Sequence, residues 1–274
     1  SVNPHGDPGT DPANTGEGRL AEYLAEFFRK LALDVEFHEV EPGRPTVIGK
    51  FASRGGKRSL ALGPHTDTVS VAGMTIDPFG GEIRDGRLWG RGATDTKGPM
   101  ASLLAALANA VRSKTFREGD LDVYFTALMG EESGNDGVRD LMQRGFRVDF
   151  AIAGEPTDCQ VVTAHKGALW FKLHTRGQSV HGSMPERGVS AIGKMAPVVA
   201  HILGPYTEQL RDRPDALLGA PTVNIGVIEG GSQTNIVPNH CLIEVDRRTV
   251  PGEDHRQIMA DLVATFPELG LESE

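Results

Sequence analysis

Strand-length apolar segments alternate with helical segments through the first part of this chain, and this alternation constrains its fold most. Apolar runs of strand length lie at residues 60–63, 121–128 and 150–153. Apolar residues at helical spacing mark segments 20–33, 99–111 and 137–143. Such alternation is typical of an α/β domain built on one central sheet. We therefore predict an α/β fold in which a central, mostly parallel sheet is flanked by helices.

The second part of the chain has a different order of segments. Strands are predicted at 168–175, 222–228 and 241–245, and helices at 190–210 and 255–266. The resulting order β-α-β-β-α indicates an inserted α+β domain of the split-βαβ type that lacks only its last strand. We therefore predict two domains, residues 1–168 and 169–274.

Composition excludes several classes of partner. The 274 residues carry a net charge of −9, and no cluster of Lys and Arg stands out, so we expect neither nucleic acid nor a membrane as a partner. No apolar run is long enough to span a bilayer, and no signal peptide begins the sequence. Cys159 and Cys241 lie too far apart in sequence to indicate a disulfide framework or a Cys-based zinc site. We expect buried free thiols and a cytoplasmic location.

Polar residues of one chemical kind follow the predicted strands and glycine-rich turns of the first domain. They are His65, Asp67, Asp95, Glu131, Glu132 and Glu155. Side chains at i and i+2 of an extended chain point the same way, so the first two share a face at the end of a strand. Ligands of open α/β sheets gather at such strand ends. Taken singly, each residue has a simpler interpretation: a turn histidine, an N-cap or a solvated surface turn.

Taken together, an imidazole and several carboxylates at one sheet edge form a ligand set that suits Zn²⁺ or Co²⁺. Two adjacent carboxylates allow one to bind metal while the other takes a proton from water. Competing signatures are absent from the sequence: it has no P-loop, no dinucleotide-binding glycine motif after a strand and no nucleophile elbow.

Seven segments in order along the chain carry a family resemblance. They are residues 62–67 (LGPHTD), 89–98 (WGRGATDTKG), 130–134 (GEESG), 154–157 (GEPT), 180–185 (VHGSMP), 230–238 (GGSQTNIVP) and 246–248 (DRR). This set resembles the M20 family of metallohydrolases, which includes acetylornithine deacetylase, succinyl-diaminopimelate desuccinylase, aminoacylase and glutamate carboxypeptidase. The resemblance implies a zinc-peptidase-like catalytic domain with an inserted lid and dimerisation domain.

The resemblance also implies roles for the residues of the first domain. His65 and Glu155 would bind one metal ion, Glu132 would bind a second, and Asp95 would bridge the two. Asp67 would orient His65. Glu131 would be the general base. The implied cofactor is Zn²⁺, two ions per active site, with Co²⁺ as a possible substitute.

Three residues of the second domain match substrate-binding positions of the family. The resemblance implies that His181 reaches into the active site of a partner subunit and helps to hold the oxyanion, which makes the protein a homodimer. Asn235 and Arg248 would bind substrate, and Arg248 suits a carboxylate because arginine forms paired hydrogen bonds with that group. From the sequence alone, a turn histidine is the favoured interpretation of His181, whereas substrate binding and a solvated strand end are equally compatible with Arg248.

The expected function is a metal-dependent amidohydrolase, a deacylase of N-acyl amino acids or related small substrates, in which a metal-activated hydroxide attacks the amide carbonyl. A dipeptidase or carboxypeptidase of the same family is an alternative. The family's second metal takes a further histidine from a C-terminal segment, and no remaining histidine of this sequence lies at a motif position. We therefore expect a chain truncated at both ends, which leaves a non-catalytic, metal-binding or dimerising fragment as a second alternative.

Overall fold

The computed structural model describes residues 1–5, 11–53, 57–113 and 121–273. The chain divides into two compact units, Ser1–Gln160 and Val161–Glu274. The sequence prediction placed the domain boundary after residue 168.

The first unit is built on a five-stranded sheet. Its strands are β1 (Asp34–Glu41), β2 (Arg44–Phe51), β3 (Ser59–Gly63), β6 (Asp122–Ala127) and β7 (Phe150–Ala153), in the order β1-β2-β6-β3-β7. Strands β6, β3 and β7 are parallel, whereas β2 is antiparallel to both of its neighbours. The predicted α/β class with a central, mostly parallel sheet is confirmed.

Three helices accompany this sheet: α1 (Gly18–Lys30), α2 (Lys97–Arg112) and α3 (Asp136–Gln143). The core of the unit combines the apolar faces of α1 and α2 with the strands, and Phe28 and Phe125 lie at its centre without solvent exposure. Their rings meet at a centroid distance of 5.4 Å. This packing holds the strand ends, and therefore the residues that follow them, in fixed positions.

The apolar run at residues 150–153 predicts a short buried strand, and the prediction of burial is wrong. All four residues of β7 are exposed, with Phe150 at 56% and Ile152 at 49% of their full accessibility. The reason is topological, because β7 pairs only with β3 and is an edge strand of the described sheet. An apolar run indicates a strand but does not indicate its place in the sheet.

The stretch 74–92, which the sequence predicts to be a long loop, contains a hairpin. Strands β4 (Glu82–Arg84) and β5 (Arg87–Trp89) pair antiparallel around Asp85 and Gly86. Both turn residues have positive φ, 54° and 73°, as a two-residue turn matching the strand twist requires. The Asp-Gly pair was the signal from which this hairpin could have been predicted.

The second unit is a four-stranded antiparallel sheet with helices. Its strands are β8 (Gly167–Arg176), β9 (Thr222–Gly230), β10 (His240–Thr249) and β11 (Glu272–Ser273), in the order β11-β8-β10-β9. Its helices are α4 (Ala191–His201), which continues through a π-helical turn at Ile202–Tyr206 into α5 (Thr207–Arg211), and α6 (His255–Ala264). The sequence predicts no strand after α6, but the two residues of β11 pair with β8 in the structure.

Buried and more exposed residues alternate along β10, and this alternation distinguishes the two faces of the second sheet. Cys241, Ile243, Val245 and Arg247 are buried, whereas Arg248 is exposed. The buried face packs on α4 and α6 in one apolar core. The open face carries His240, Glu244, Asp246 and Arg248.

Two further expectations concern the membrane and the cysteines. Within the described part of the chain, no helix is long and apolar enough to cross a membrane. Both cysteines are free, but only Cys241 is buried. The prediction of a buried thiol at Cys159 is wrong, because this residue lies in an exposed turn where its own φ is 59°.

Candidate active site

The candidate site of the first unit forms where β3 and β6 end side by side. Beyond β3, the backbone continues to pair with the residues that follow β6: Leu128 N–H donates to Pro64 O at 3.0 Å, and Thr66 N–H donates to Leu128 O at 2.7 Å. His65 lies two residues beyond the end of β3, and Glu131 begins a 3-10 turn shortly after β6. The sheet therefore brings the polar residues after both strands to one edge, as their positions in the sequence predict.

His65 is oriented by Asp67 and directs its other ring nitrogen toward Asp95. The ring is 2% exposed, and its Nδ1 lies 3.3 Å from Asp67 Oδ1 and 3.1 Å from Asp67 O. Its Nε2 lies 3.0 Å from Asp95 Oδ1. A carboxylate on one nitrogen fixes the tautomer and leaves the other nitrogen free to bind a metal ion.

Asp67 is fully buried and connects His65 with the turn that carries Glu131 and Glu132. Its Oδ1 accepts from Glu131 N–H at 3.1 Å and its Oδ2 from Glu132 N–H at 3.0 Å, while Asn3 Nδ2 donates to Oδ2 at 2.7 Å. Burial tends to raise the pKa of this carboxyl, but the hydrogen bonds from His65, Asn3 and the Glu132 N–H outweigh it and lower the pKa. Asp67 is therefore held ionised beside the histidine.

Three of the predicted ligands meet in a cluster. One donor atom each from His65, Asp95 and Glu132 lie within 4.8 Å of one another. Glu131 Oε2 lies 4.0 Å from His65 Nε2. Glu132 is itself positioned, because its Oε1 accepts from Val69 N–H at 3.1 Å. An imidazole and two carboxylates at this spacing are a ligand set that zinc and cobalt accept.

Glu155 lies beside this cluster and is exposed. Its position is set by Gly154, whose carbonyl accepts a hydrogen bond from the fully buried Thr96, the neighbour of Asp95. The Asp95–Thr96 peptide bond is cis. The assignment of His65, Asp95 and Glu155 to one metal ion stays a prediction; the described cluster joins the first two of these to Glu132.

Negative charge accumulates at this site and favours a cation. Burial tends to lower the pKa of His65, but the hydrogen bond and charge of Asp67, with the charges of Glu131 and Glu155, raise it to about 9. Burial raises the pKa of Glu131, Glu132 and Glu155, and neighbouring carboxylates raise it further against the opposing effect of His65. A bound metal ion would relieve this repulsion, so the residues present fit the implied metal.

One predicted substrate region lies at the contact between two loops of the second unit. His181 forms an isolated β-bridge with Ile236, and Gly182 N–H donates to Asn235 O at 2.7 Å. A Cβ on Gly182 would lie 3.0 Å from the Asn235 carbonyl, so glycine permits this approach. The structure therefore brings the His181 and Asn235 segments together. The His181 ring is exposed, and its Nδ1 lies 2.8 Å from Ser183 Oγ.

Arg248 lies on the open face of β10. Its guanidinium contacts Asp246 Oδ2 through Nε at 3.1 Å and Nη2 at 2.9 Å, and its side chain is 44% exposed. The guanidinium is therefore held by one carboxylate and remains accessible to another. Arg247 points to the opposite, buried face and pairs with Glu253 at 2.5 Å.

Sequence reasoning missed three residues that support the metal cluster: Asn3, Glu17 and Arg44. Glu17 is fully buried, accepts from Arg44 Nε and Nη2 at 2.8 Å each, and also accepts from Gly130 N–H at 3.3 Å. Burial disfavours the charged guanidinium, but the bonds and charge of Glu17 outweigh this and raise the pKa of Arg44. The residues in these contacts are 27 to 113 positions apart in the sequence, so no local motif could have revealed them.

Comparisons with known proteins show which family and which solved structures this chain is similar to. Residues 163–274 match the family model of the M20 peptidase dimerisation domain. The chain is similar to the M20 family metallo-carboxypeptidase Sso-CP2 from Sulfolobus solfataricus, with 21% identity and a TM-score of 0.78 over 96% of this chain and 74% of the other.

Two bacterial structures are also similar. Aminopeptidase PepT from Bacillus cereus is 26% identical, with a TM-score of 0.67 over 94% of this chain and 69% of the other. The YXEP protein from Bacillus subtilis, a dinuclear metal-binding peptidase of the M20 family, is 15% identical, with a TM-score of 0.59 over 94% and 67% of the two chains.

The fold of this chain is one that metallopeptidases share. More specifically, residues 163–274 of the second unit match the M20 peptidase dimerisation domain, and the chain as a whole has the fold of M20 family metallopeptidases and aminohydrolases. The resemblance predicted from the motifs is therefore confirmed.

Proposed function

We propose that this chain carries the metal-binding and substrate-binding residues of a two-metal amidohydrolase, a deacylase of N-acyl amino acids or related small molecules. The observation that carries the proposal is the cluster of His65, Asp95 and Glu132, with Glu131 at 4.0 Å from His65. It places candidate metal ligands beside a carboxylate that is free to transfer protons.

The proposed cofactor is Zn²⁺, two ions per active site, with Co²⁺ as a substitute. His65, Asp95 and Glu155 would hold one ion, and Asp95 and Glu132 the other. When bound, the ions supply Lewis acidity that makes water more acidic and polarises the amide carbonyl. The crowding of negative charge at these side chains supports this assignment.

Glu131 is the proposed general base. Its backbone N–H is held by Asp67, whereas its side chain is half-buried near His65. Burial raises the pKa of its carboxyl toward the working range of a proton carrier. In this role Glu131 takes a proton from the attacking water and delivers it to the leaving nitrogen of the amide.

The second unit would bind the substrate. Arg248, accessible on the open face of β10, suits the α-carboxylate of an acyl amino acid. His181 would stabilise the oxyanion in the active site of a partner subunit, with Asn235 beside it as a further substrate contact. This arrangement requires a homodimer, which the match to a dimerisation domain supports.

A dipeptidase or carboxypeptidase is the alternative substrate class, and the similarity to a metallo-carboxypeptidase and an aminopeptidase supports it. The second alternative is a metal-binding or dimerising chain without turnover. The cytoplasmic location expected from the sequence stays a prediction.

A substrate panel tests the function. Purified protein is loaded with Zn²⁺ or Co²⁺ and assayed on N-acyl amino acids and on dipeptides, alongside Glu131→Gln and the exposed control Glu26→Gln. We expect hydrolysis of N-acyl amino acids, a loss of about 10²- to 10⁴-fold in kcat for Glu131→Gln with unchanged metal content, and normal activity for Glu26→Gln.

Each other outcome of this panel has a distinct meaning. Preferential cleavage of dipeptides would select the peptidase alternative. Near-normal turnover in Glu131→Gln would remove its role as general base. Metal binding without turnover on either substrate class would select the non-catalytic alternative.

A further inference from the structure

Asn3 connects parts of the first unit that are distant in sequence. Its side chain is 2% exposed, although the residue lies in a stretch that the sequence predicts to be loop. Its backbone is fixed on both sides: Asn3 N–H donates to Thr68 O at 2.9 Å, and Val2 pairs with Asn14 and Gly16. The segment is therefore anchored beside the strand end that carries the candidate metal ligands.

Both ends of the Asn3 amide have defined partners. Nδ2 donates to Asp67 Oδ2 at 2.7 Å and to Ser133 Oγ at 2.9 Å, while Oδ1 accepts from His5 N–H at 3.0 Å. A carboxylate requires a donor and a backbone N–H requires an acceptor, so these partners settle which end is the nitrogen. The amide orientation is thus determined by its contacts.

The contact with Asp67 bears on the geometry of the whole cluster. The terminal torsion of an aspartate is soft, so the direction of its two oxygens depends on what they bind. In this structure Oδ1 faces His65 and Glu131 N–H, and Oδ2 faces Glu132 N–H and the Asn3 amide. Without Asn3, Oδ2 keeps one of its two donors.

The contact with Ser133 acts on the same cluster from the other side. Ser133 closes the 3-10 turn Glu131–Ser133, which carries both adjacent glutamates. The single NH₂ group of Asn3 therefore holds the carboxylate that orients His65 and also the turn that presents Glu131 and Glu132.

We infer that Asn3 is a positioning residue of the metal centre, because its buried amide clamps the Asp67 carboxylate to the Glu131–Ser133 turn. The inference rests on the proposed function in one respect: the side chains that Asn3 positions are those that the proposed function assigns to the metal centre. The amide is suited to this task where a carboxylate is not, since Asp at this position would oppose Asp67 with like charge at hydrogen-bond distance.

Two measurements on the full chain test the inference. The first is hydrogen exchange at the backbone amides of Glu131 and Glu132, both of which donate to Asp67. It is measured in metal-free protein. In Asn3→Ala and Asn3→Asp we expect exchange about ten- to hundredfold faster at these two amides, with Phe125 in β6 unchanged. This measurement does not depend on metal.

The second measurement is the Kd for Co²⁺, obtained by absorption titration. Changes to residues that orient metal ligands typically weaken affinity by about 10- to 100-fold, and we expect this for both Asn3 variants. Asn109→Asp, on the exposed surface of α2, is the control and should bind like the parent. Ser133→Ala should have a smaller effect, because it leaves the bond from Asn3 to Asp67 in place.

A double-mutant comparison separates positioning from general stabilisation. If Asn3 acts through Asp67, Asn3→Ala should add less than about twofold to the Kd change of Asp67→Ala. A lowered Tm in Asn3→Ala with the parent Kd and parent amide exchange would overturn the inference and assign Asn3 to stability alone. Absence of Co²⁺ binding by the parent chain would instead refute the proposed metal centre, and with it the metal part of the inference.

Discussion

The candidate metal cluster and the candidate substrate residues differ in how they are held. Around the metal cluster, His65, Asp67 and Glu17 are buried and joined by hydrogen bonds to distant parts of the first unit. In the second unit, His181 and Arg248 are exposed, and their side chains contact the nearby Ser183 and Asp246. One region is fixed by its own fold, whereas the other presents side chains toward solvent.

This difference agrees with the work that each region would do. Metal ligands need fixed geometry before the ion binds, and outer hydrogen bonds supply it. Substrate-binding side chains gain from exposure, because an exposed guanidinium can exchange its contact with Asp246 for one with a carboxylate ligand. The burial of each region therefore predicts how strongly it responds to substitution.

The largest effect is expected where the metal cluster itself is broken. Asp95→Asn keeps the shape of the side chain but removes the charge that faces His65 Nε2 at 3.0 Å. We expect loss of bound Zn²⁺, measured as metal content after dialysis, whereas Asp34→Asn on the exposed end of β1 should retain it. Full metal content in Asp95→Asn would contradict the bridging role.

The second-largest effect is on the free energy of unfolding, which we expect to differ between substitutions in the two regions. Glu17→Ala would remove two hydrogen bonds from the buried Arg44 guanidinium and leave Glu41 as its charged partner, which should cost about 2–3 kcal/mol of unfolding free energy. Asp246→Ala removes the partner of an exposed arginine and should cost about 1 kcal/mol or less. Urea unfolding of both variants measures the difference; equal losses would remove the contrast between the two regions.

The distant contacts around the metal cluster also limit how much could be predicted from the sequence. The alternation of strands and helices, the strand ends and the motif residues were sufficient to predict the α/β class and the convergence of His65, Asp95 and Glu132. They were insufficient for Asn3 and Glu17, because these residues contact the site across 64, 130 and 113 positions of the chain. Such contacts depend on how the strands are ordered, which also explains the unexpected exposure of β7.

The third effect is the pH dependence of metal binding. A metal ion binds the neutral imidazole, but Asp67 and its neighbours raise the pKa of His65 to about 9 in the metal-free site. Below that pH a proton must leave before the ion binds. We therefore expect the affinity for Zn²⁺ to rise about tenfold per pH unit between pH 6 and 8. Isothermal titration in two buffers of different ionisation enthalpy measures the proton release, and absence of release would contradict the raised pKa.

The smallest effect concerns the exposed region and depends on a second subunit. If His181 acts across a dimer interface, His181→Ala and Glu131→Ala chains should each be inactive alone and complement each other when mixed. In a heterodimer one site has Glu131 from one chain and His181 from the other, while the second site has neither. Random exchange makes about half of the dimers heterodimers, so about a quarter of the parent activity should return.

Mixing two preparations of the same variant is the control, because it forms dimers without restoring either residue. Subunit exchange is verified independently by mass spectrometry of differently tagged chains. Confirmed heterodimers without activity would show that His181 acts within its own chain or not at all. The exposed histidine would then lack a role across the interface, and the metal cluster of the first unit alone would define the catalytic machinery.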